Sequence, residues 1–236
     1  MRQSYRVETI QALTFDLDDT LRDNRPVLMA AEQVVYDWLV LHYPRIGRRY
    51  TLEALREIRL DLLRQHPELA HKMTQLRKLS LRLAADTVGY DHSLVEPAFA
   101  VFLEARHRVD LYADVVPGLN VLRRAGYRIG AMTNGNVDVN RLGIGSLFDF
   151  SLSAETVGKG KPHPLMFETA CRHADVLPEQ LAHVGDDPAT DLRGGQAAGV
   201  RVIWMNRQGQ PRVPGVPLDA EVRSMTDLLS LFDLSL

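Results

Sequence analysis

The spacing of hydrophobic residues changes twice along this chain of 236 residues. Ala12 to Phe15 is a short apolar run, typical of a buried strand. Between Leu21 and about Arg108 the apolar residues recur at intervals of three and four, as they do along one face of a helix. After Val115, short apolar runs alternate with helical patterns. The change of period predicts two kinds of structure within one chain.

Four amphipathic helices are predicted in the middle segment. The first begins near Pro26, which suits the first turn of a helix, and runs to about His42. Thr51 is a candidate cap for the second helix, Gly89 would end the third, and Ser93 has capping-box spacing at the start of the fourth. The expected core positions are Val27, Val34, Val35, Trp38, Leu41, Leu55, Ile58, Leu62, Leu69, Met73, Leu76 and Leu83.

The alternating pattern after Val115 predicts an α/β fold with a parallel sheet and helices on both faces. The first strand belongs with this part, so the helical segment is expected to be an insertion after it. Predicted strands lie at 127–132, 150–153, 181–184 and 200–205, and predicted helices at 164–174, 190–198 and 224–232.

Three carboxylates, Asp16, Asp18 and Asp19, follow the first strand. Packing does not explain them, because like charges at the end of a buried strand repel one another and resist desolvation. Mg²⁺ would relieve the repulsion, since it prefers hard oxygen ligands. If the strand pleat continues, Asp16 and Asp18 point to the same side, so that one could attack a substrate while the other moves protons. The alternative is an acidic turn in which Asp18 or Asp19 only caps the chain.

Polar groups also follow the later strands. Thr133 and Asn134, next to Gly135, offer a hydroxyl, an amide and backbone N–H groups for phosphate oxygens, although an ordinary turn has the same composition. Lys161 could pair with a carboxylate and a phosphate together. It is preferred over Lys159 because the prolines that follow it fix the chain at a helix start.

A further acidic group lies at the end of the strand at 181–184. Asp186 directly follows this strand and is the better candidate for a metal ligand, whereas Asp187 would be a supporting group or a turn former. Asp191 lies in the first turn of the next helix, and its alternative role is a simple interaction with the helix N-terminus. Ligands of open parallel sheets bind beyond the carboxyl ends of the strands, so all these groups are expected to meet there.

The order of these motifs resembles the haloacid dehalogenase superfamily, whose members are mostly phosphatases. The resemblance implies a Rossmann-like doubly wound core formed by residues 1–21 and 113–236, and a C1-type helical cap formed by residues 22–112. His163 departs from the pattern, because many relatives carry Asp there. The matching segments are Asp16-Leu17-Asp18-Asp19-Thr20, Thr133-Asn134-Gly135, Lys161-Pro162-His163-Pro164 and Gly185-Asp186-Asp187 with Asp191.

By this resemblance Asp16 is the nucleophile, Asp18 is the general acid and base, and Lys161 orients the nucleophile and stabilises charge. The implied phosphate-binding residues are Thr133, Asn134 and Lys161. The implied ligands of Mg²⁺ are Asp16, Asp18 through its carbonyl, and Asp186, supported by Asp187 and Asp191.

A longer match, over residues 12–21, 23–26 and 183–187, is similar to bacterial phosphatases of the flavin pathway. Those act on 5-amino-6-(5-phospho-D-ribitylamino)uracil and on FMN, so the implied partner is a small phosphorylated metabolite. Alternatives are a phosphatase of another sugar phosphate or nucleotide, and a phosphomutase with the same core. A dehalogenase would not need an acid at position 18. A receiver-type signalling module would carry its phosphoacceptor on a middle strand and lack a large helical insertion.

Composition narrows the class of protein further. A formal net charge of −2 and a pI of about 6.4 do not favour nucleic acid binding. Residues 22–112 carry a small positive excess, which would suit an anionic substrate but is explained equally by solvated helix faces. Cys171 is the only cysteine, which excludes an internal disulfide. Met1 to Ile10 has no apolar leader and no run reaches the length of a membrane span, so we expect a soluble cytoplasmic protein.

Overall fold

The computed structural model of the protein describes residues 9–108, 110–216 and 218–236. The expectation about a leader in Met1 to Ile10 therefore falls mainly on residues outside the described part. The described residues divide into two compact units. One comprises those up to Asp23 together with those from Asp110 onward, and the other, which begins at Asn24, comprises those in between. None of the helices in the described ranges combines the length and apolarity needed to cross a bilayer.

The unit that begins at Asn24, here called the helical unit, contains no strand among its described residues. Its helices are α1 (Asn24–His42), α2 (Pro44–Arg49), α3 (Leu52–Gln65), α4 (Met73–Thr87) and α5 (Val95–His107). Short 3₁₀ turns at Pro67–His71 and His92–Leu94 precede α4 and α5. Val35 and Leu39 of α1 pack with Ala84 of α4 and Phe102 of α5 in one buried cluster. The four predicted helices are present, and α2 was not predicted.

Some local expectations for the helical unit are wrong. Val34, Leu41 and Leu83 are exposed, with relative accessibilities of 46%, 76% and 41%, because only one side of each helix faces the cluster. Ser93 does not cap α5. Instead, Oδ1 of Asp91 accepts from the Ser93 N–H at 3.0 Å and starts the 3₁₀ turn that delays the α-helix to Val95. Thr51 does cap α3, accepting from the Ala54 N–H at 3.2 Å.

The other unit, here called the core unit, contains six strands among its described residues, all parallel and in one sheet. The strands are β1 (Ala12–Phe15), β2 (Arg128–Thr133), β3 (Phe150–Ser153), β4 (Leu181–Gly185), β5 (Arg201–Met205) and β6 (Ala220–Val222). Their order, β3-β2-β1-β4-β5-β6, confirms the predicted doubly wound Rossmann-like fold. β2 and β3 lie on one side of β1, and β4, β5 and β6 lie on the other, so the order of strands reverses between β1 and β4. A ligand-binding crevice is expected beyond the carboxyl ends of the two strands at such a reversal.

Helices cover both faces of this sheet. They are α6 (Val115–Arg124), α7 (Ala154–Val157), α8 (Pro164–Ala174), α9 (Arg193–Ala197) and α10 (Met225–Leu231). Leu13 and Phe15 of β1 share a buried cluster with residues of α6 and α10. Ala12 lies in a second cluster with residues of α8, as expected when successive side chains of a strand point to opposite faces. With both faces covered, β1 is completely buried.

Candidate active site

Three carboxylates meet at the carboxyl ends of β1 and β4. Asp16 follows β1, Asp186 follows β4, and Asp191 lies in a π-helical turn (Pro188–Leu192) that precedes α9. Each contributes an oxygen atom, and these atoms all lie within 4.8 Å of one another. The predicted helix over 190–198 is therefore a π turn followed by α9, and this geometry turns Asp191 toward the other two carboxylates.

Lys161 is the counter-ion of this group. Its Nζ lies 2.6 Å from Oδ1 of Asp16 and 2.6 Å from Oδ1 of Asp191, and it donates to the Met132 carbonyl at 3.1 Å. Lys161, Asp16 and Asp191 are all buried. The sequence-based preference for Lys161 over Lys159 agrees with this position. One ammonium group faces three carboxylates, so the cluster holds surplus negative charge.

The His183 side chain is hydrogen-bonded to the Asp191 carboxylate. The sequence analysis did not identify this contact. Thr14 and His183 are register partners on β1 and β4, and Nδ1 of His183 lies 2.9 Å from Oγ1 of Thr14. Its Nε2 lies 3.0 Å from Oδ1 of Asp191. Burial lowers the pKa of His183, so the imidazole is neutral, with Nε2–H donating to the carboxylate and Nδ1 accepting from the hydroxyl. The sequence did contain a signal for this contact: Thr14 and His183 are polar residues within strands that are otherwise apolar.

Burial, together with the surplus charge, shifts the pKa values of the carboxyl groups. Burial raises the pKa of Asp16 to about 7, with Lys161 opposing the rise and Asp191 and Asp18 adding to it. Burial also raises the pKa of Asp186 to about 8, and the charges of Asp16 and Asp191 act in the same direction. For Asp191, burial acts upward, but Lys161 and the hydrogen bond from His183 outweigh it and hold its pKa below the usual range. Hard oxygen donors with unbalanced negative charge fit a divalent cation.

Asp18 pairs with a buried arginine. Oδ1 of Asp18 accepts from Nε of Arg22 at 2.8 Å and from Nη2 at 2.6 Å, and Arg22 is completely buried. Oδ2 of Asp18 lies 3.5 Å from the position that a Cβ on Gly135 would occupy, so the loop after β2 passes close to this carboxylate. The structure thus brings Asp18 to the loop of Thr133 and Asn134, as the placement at strand ends predicts.

The loop after β2 also fixes the lysine. The Asn134 side chain donates through Nδ2 to the Lys161 carbonyl at 2.8 Å and accepts through Oδ1 from the Lys161 N–H at 2.7 Å. Oγ1 of Thr133 accepts from the Gly135 N–H at 2.9 Å. Asn134 therefore positions Lys161, a contact that its predicted role in phosphate binding did not include.

Asp186 and Asp187 have different surroundings. Oδ1 of Asp186 accepts from the Thr20 hydroxyl at 3.4 Å, and its carbonyl accepts from Nε1 of Trp204 at 2.8 Å. The Asp187 carboxylate caps the π turn, accepting from the N–H groups of Ala189 and Thr190 at 2.8 and 2.7 Å. Asp186 thus belongs to the carboxylate cluster, whereas Asp187 orders the segment that carries Asp191.

Comparison with known proteins gives a consistent group of relatives. Residues 10–199 match a family model described as haloacid dehalogenase-like hydrolase. The 5-amino-6-(5-phospho-D-ribitylamino)uracil phosphatase YigB of Escherichia coli (strain K12) is 32% identical over 200 residues, which cover 83% of each chain. The phosphoserine phosphatase of Thermus thermophilus is 35% identical over 64% of this chain and 63% of its own. A crystal structure of a 2-haloacid dehalogenase from Pseudomonas syringae pv. Tomato DC3000 aligns with a TM-score of 0.88 at 40% identity, covering 95% of this chain and 98% of that one.

Proposed function

The chain belongs to the haloacid dehalogenase-like hydrolase family, and on that premise we propose that it is a Mg²⁺-dependent phosphatase of a small-molecule phosphate monoester. The observation that carries the proposal is the placement of Asp16. Its carboxylate stands at the end of the central strand, 2.6 Å from Nζ of Lys161 and beside the carboxylates of Asp186 and Asp191. A nucleophile, a fixed cation and a group of oxygen donors for a metal ion are therefore available at one place.

In the proposed reaction an oxygen of Asp16 attacks phosphorus and the ester P–O bond breaks, which leaves an aspartyl phosphate. Asp18 protonates the departing alkoxide, then takes a proton from the water that hydrolyses the intermediate and frees Asp16. Lys161 offsets negative charge on the transferring group. Thr133 and the loop N–H groups bind its oxygens, and Asn134 keeps Lys161 in place.

Asp16 and Asp186 are the side chains proposed to hold Mg²⁺, together with the Asp18 carbonyl. Asp191 already shares Lys161 and His183, so we assign it, like Asp187, a supporting role. When bound, the cation supplies positive charge that stabilises the negative charge of the phosphoryl group.

The proposed substrate is 5-amino-6-(5-phospho-D-ribitylamino)uracil or FMN. The similarity to the Escherichia coli phosphatase supports the first, at 32% identity over 83% of each chain. The motif resemblance to flavin-pathway phosphatases supports both. Another sugar phosphate, a nucleotide or a phosphomutase reaction would use the same side chains, so the substrate must be chosen by assay.

A second candidate function is the dehalogenation of a 2-haloacid, because the solved structure at 40% identity bears that name. In that reaction Asp16 would attack carbon and release halide. A halide leaves without a proton and needs no cation among carboxylates. The presence of Asp18 and of the carboxylate cluster therefore favours phosphate esters.

The decisive experiment separates the roles of Asp16 and Asp18. With p-nitrophenyl phosphate, whose leaving group departs without protonation, Asp18→Asn should still transfer phosphate to Asp16 but hydrolyse the product slowly. Intact-mass analysis should then show a gain of about 80 Da, the mass of a phosphoryl group. Asp16→Asn, the matched control, should show none, because it lacks the attacking charge.

Equal residual turnover of both variants without an adduct would contradict this assignment of roles. Wild-type release of halide from 2-chloropropionate without release of phosphate from any ester would favour the dehalogenase. Transfer of about one phosphoryl group per chain, with the alcohol released but no continued release of phosphate, would indicate a phosphoacceptor module. Full phosphatase activity in excess EDTA would contradict the proposed requirement for Mg²⁺.

A further inference from the structure

A buried imidazole connects two strands of the sheet to the proposed site. His183 of β4 is completely buried, and its Nδ1 lies 2.9 Å from Oγ1 of Thr14 on β1. Its Nε2 lies 3.0 Å from Oδ1 of Asp191, which is also buried. A neutral imidazole has one N–H group, and a carboxylate accepts hydrogen bonds without donating any. The N–H group of His183 is therefore on Nε2 and donates to Asp191, while Nδ1 accepts from the Thr14 hydroxyl.

The Asp191 carboxylate has a fixed orientation. Besides the contact with His183, its Oδ1 lies 2.6 Å from Nζ of Lys161, and its Oδ2 accepts from the Asp187 N–H at 3.1 Å. A Cβ on Gly185 would lie 2.3 Å from Cγ of Asp191, so the carboxylate packs directly against the end of β4. The hydrogen bond from His183 thus reaches the same carboxylate oxygen that contacts the lysine.

The ammonium group of Lys161 uses all its hydrogen-bond donors. An ammonium group has three N–H donors. Nζ of Lys161 contacts three acceptors, which are Oδ1 of Asp191, Oδ1 of Asp16 at 2.6 Å and the Met132 carbonyl at 3.1 Å. A shift of Asp191 would leave one N–H of this buried cation without its acceptor, which is costly. Nζ would then move relative to Asp16.

We propose that His183 is a positioning residue for the nucleophile Asp16. Its N–H group fixes Asp191, and Asp191 in turn fixes Nζ of Lys161. In the described part of the chain, the hydrogen bonds of the imidazole join it to Thr14 and Asp191 and not to Asp16, so its effect is indirect. The effect on catalysis rests on the proposed function, whereas the effect on the position of Lys161 does not.

Three substitutions of His183 separate positioning from a purely structural role. His183→Gln keeps a donor to Asp191, because its amide nitrogen reaches about as far from Cβ as Nε2 does. The shorter side chain of His183→Asn keeps only the contact with Thr14, and His183→Leu keeps neither contact. All three lose the edge-to-face contact of the imidazole with the Phe167 ring, so that contact cannot explain a difference among them.

The first measurement reports the position of Lys161 directly and needs no substrate. The other lysines of the chain, Lys72, Lys78 and Lys159, are exposed or half-buried. In full-length protein labelled with nitrogen-15 at lysine, a buried and hydrogen-bonded ammonium group is protected from exchange with water and gives an NMR signal. Lys161→Gln identifies that signal by its loss. The signal should persist in His183→Gln and should be lost or displaced in His183→Asn and His183→Leu.

The second measurement is turnover of p-nitrophenyl phosphate, at a temperature where circular dichroism shows every variant folded. His183→Asn and His183→Leu should lower kcat about 10- to 100-fold, the usual effect of losing one hydrogen bond to a charged group. KM should change little, because the loop proposed to bind phosphate is not altered. His183→Gln should recover most of the loss in kcat.

A histidine that only joins β1 to β4 would give a different order of variants. His183→Gln and His183→Asn each keep one of the two contacts, so they would then behave alike and His183→Leu would be the most impaired. That order, or a Lys161 signal unchanged in all three variants, would overturn the proposal. If the wild type hydrolysed no phosphate ester, the proposed function would fail, while the NMR comparison would still decide whether His183 positions Lys161.

Discussion

At the residue scale, the raised pKa values of Asp16 and Asp186 have a consequence for stability. Both carboxyl groups ionise near pH 4 in an unfolded chain, but in the folded protein they hold their protons until about pH 7 and pH 8. Between these limits the folded state binds more protons than the unfolded state. The free energy of unfolding of the metal-free protein should therefore fall as pH rises from about 4 to 8.

Asp186→Asn should reduce this fall in the free energy of unfolding with pH, because an amide does not ionise. At pH 8 and without metal we expect a gain of about 1 kcal/mol, or roughly 2–4 °C in the unfolding temperature. At pH 5 the gain should be smaller. Mg²⁺ should stabilise the wild type more at pH 8 than at pH 5, and should have little effect on Asp186→Asn.

The measurement is thermal unfolding across pH, with and without Mg²⁺. Asp187→Asn is the control, since Asp187 lies beside Asp186 in sequence but is exposed and keeps a capping oxygen as Asn. A wild-type protein whose metal-free stability rises steadily from pH 5 to pH 8 would contradict the explanation.

At the element scale, Arg207 joins segments that are distant in sequence. It follows β5, donates through Nε to the Thr20 carbonyl at 2.7 Å, and pairs with both oxygens of Asp114 at 3.1 Å. Oδ2 of Asp114 also accepts from the Met225 N–H, at the start of α10. Thr20 in turn donates to Asp186, so Arg207 supports the loop that carries the predicted acid.

We expect Arg207→Met to lower the free energy of unfolding by about 1–3 kcal/mol, because the carbonyl of the buried Thr20 and the part-buried Asp114 carboxylate lose the hydrogen bonds from this guanidinium. Arg207→Lys should retain only part of the stability that Arg207→Met loses, since an ammonium group cannot form the bidentate contact with Asp114. The control is Arg201→Met on β5, whose ion pair with Asp219 is half exposed and worth at most about 1 kcal/mol. Urea unfolding measures all three variants. Equal losses in Arg207→Met and Arg201→Met would show that Arg207 has no special role.

The bounds of helices and strands are predicted best where the apolar pattern of a segment fits only one kind of secondary structure. The bounds of β3 and α8 coincide with the predicted 150–153 and 164–174, since each has a regular apolar period and α8 has a proline at its start. The three-residue strand β6 was missed because Ala-Glu-Val is too short to show alternation. The residues that follow β1 and β4 meet as expected, because parallel strands place their carboxyl ends together, and their roles stay a prediction.

Side-chain pairing could not be predicted in the same way. The contact between Lys161 and Asp191 depends on the π turn, and nothing in the local pattern distinguishes that turn from an ordinary helix start. The sequence also gives no sign that Arg22 is buried, because it lies in a polar segment. Its burial depends on the nearby carboxylate of Asp18, which pairs with it. Such pairs follow from tertiary geometry rather than from spacing.

At the scale of the whole molecule, the residues proposed for chemistry all lie in the core unit, and the helical unit carries none of them. We therefore propose that the helical unit governs the choice of substrate. Replacing residues 24–107 with the matching segment of the Escherichia coli relative should shift the relative kcat/KM values among phosphate esters toward that enzyme. Hydrolysis of p-nitrophenyl phosphate should change little. The reciprocal chimera is the control, and a substrate preference that stays with the core unit would contradict the proposal.

The central position of β1 has a consequence for the order of events during translation. β1 is made first, but its partners in β2 and β4 begin at Arg128 and Leu181, after the entire helical unit. At about 5–20 residues per second, the ribosome needs on the order of ten seconds to supply β2. During that interval the nascent chain carries an apolar strand without a sheet, while the helical unit, whose contacts are local, can already fold. A pause in synthesis before Arg128 would lengthen the exposure of β1 to chaperones and to other nascent chains.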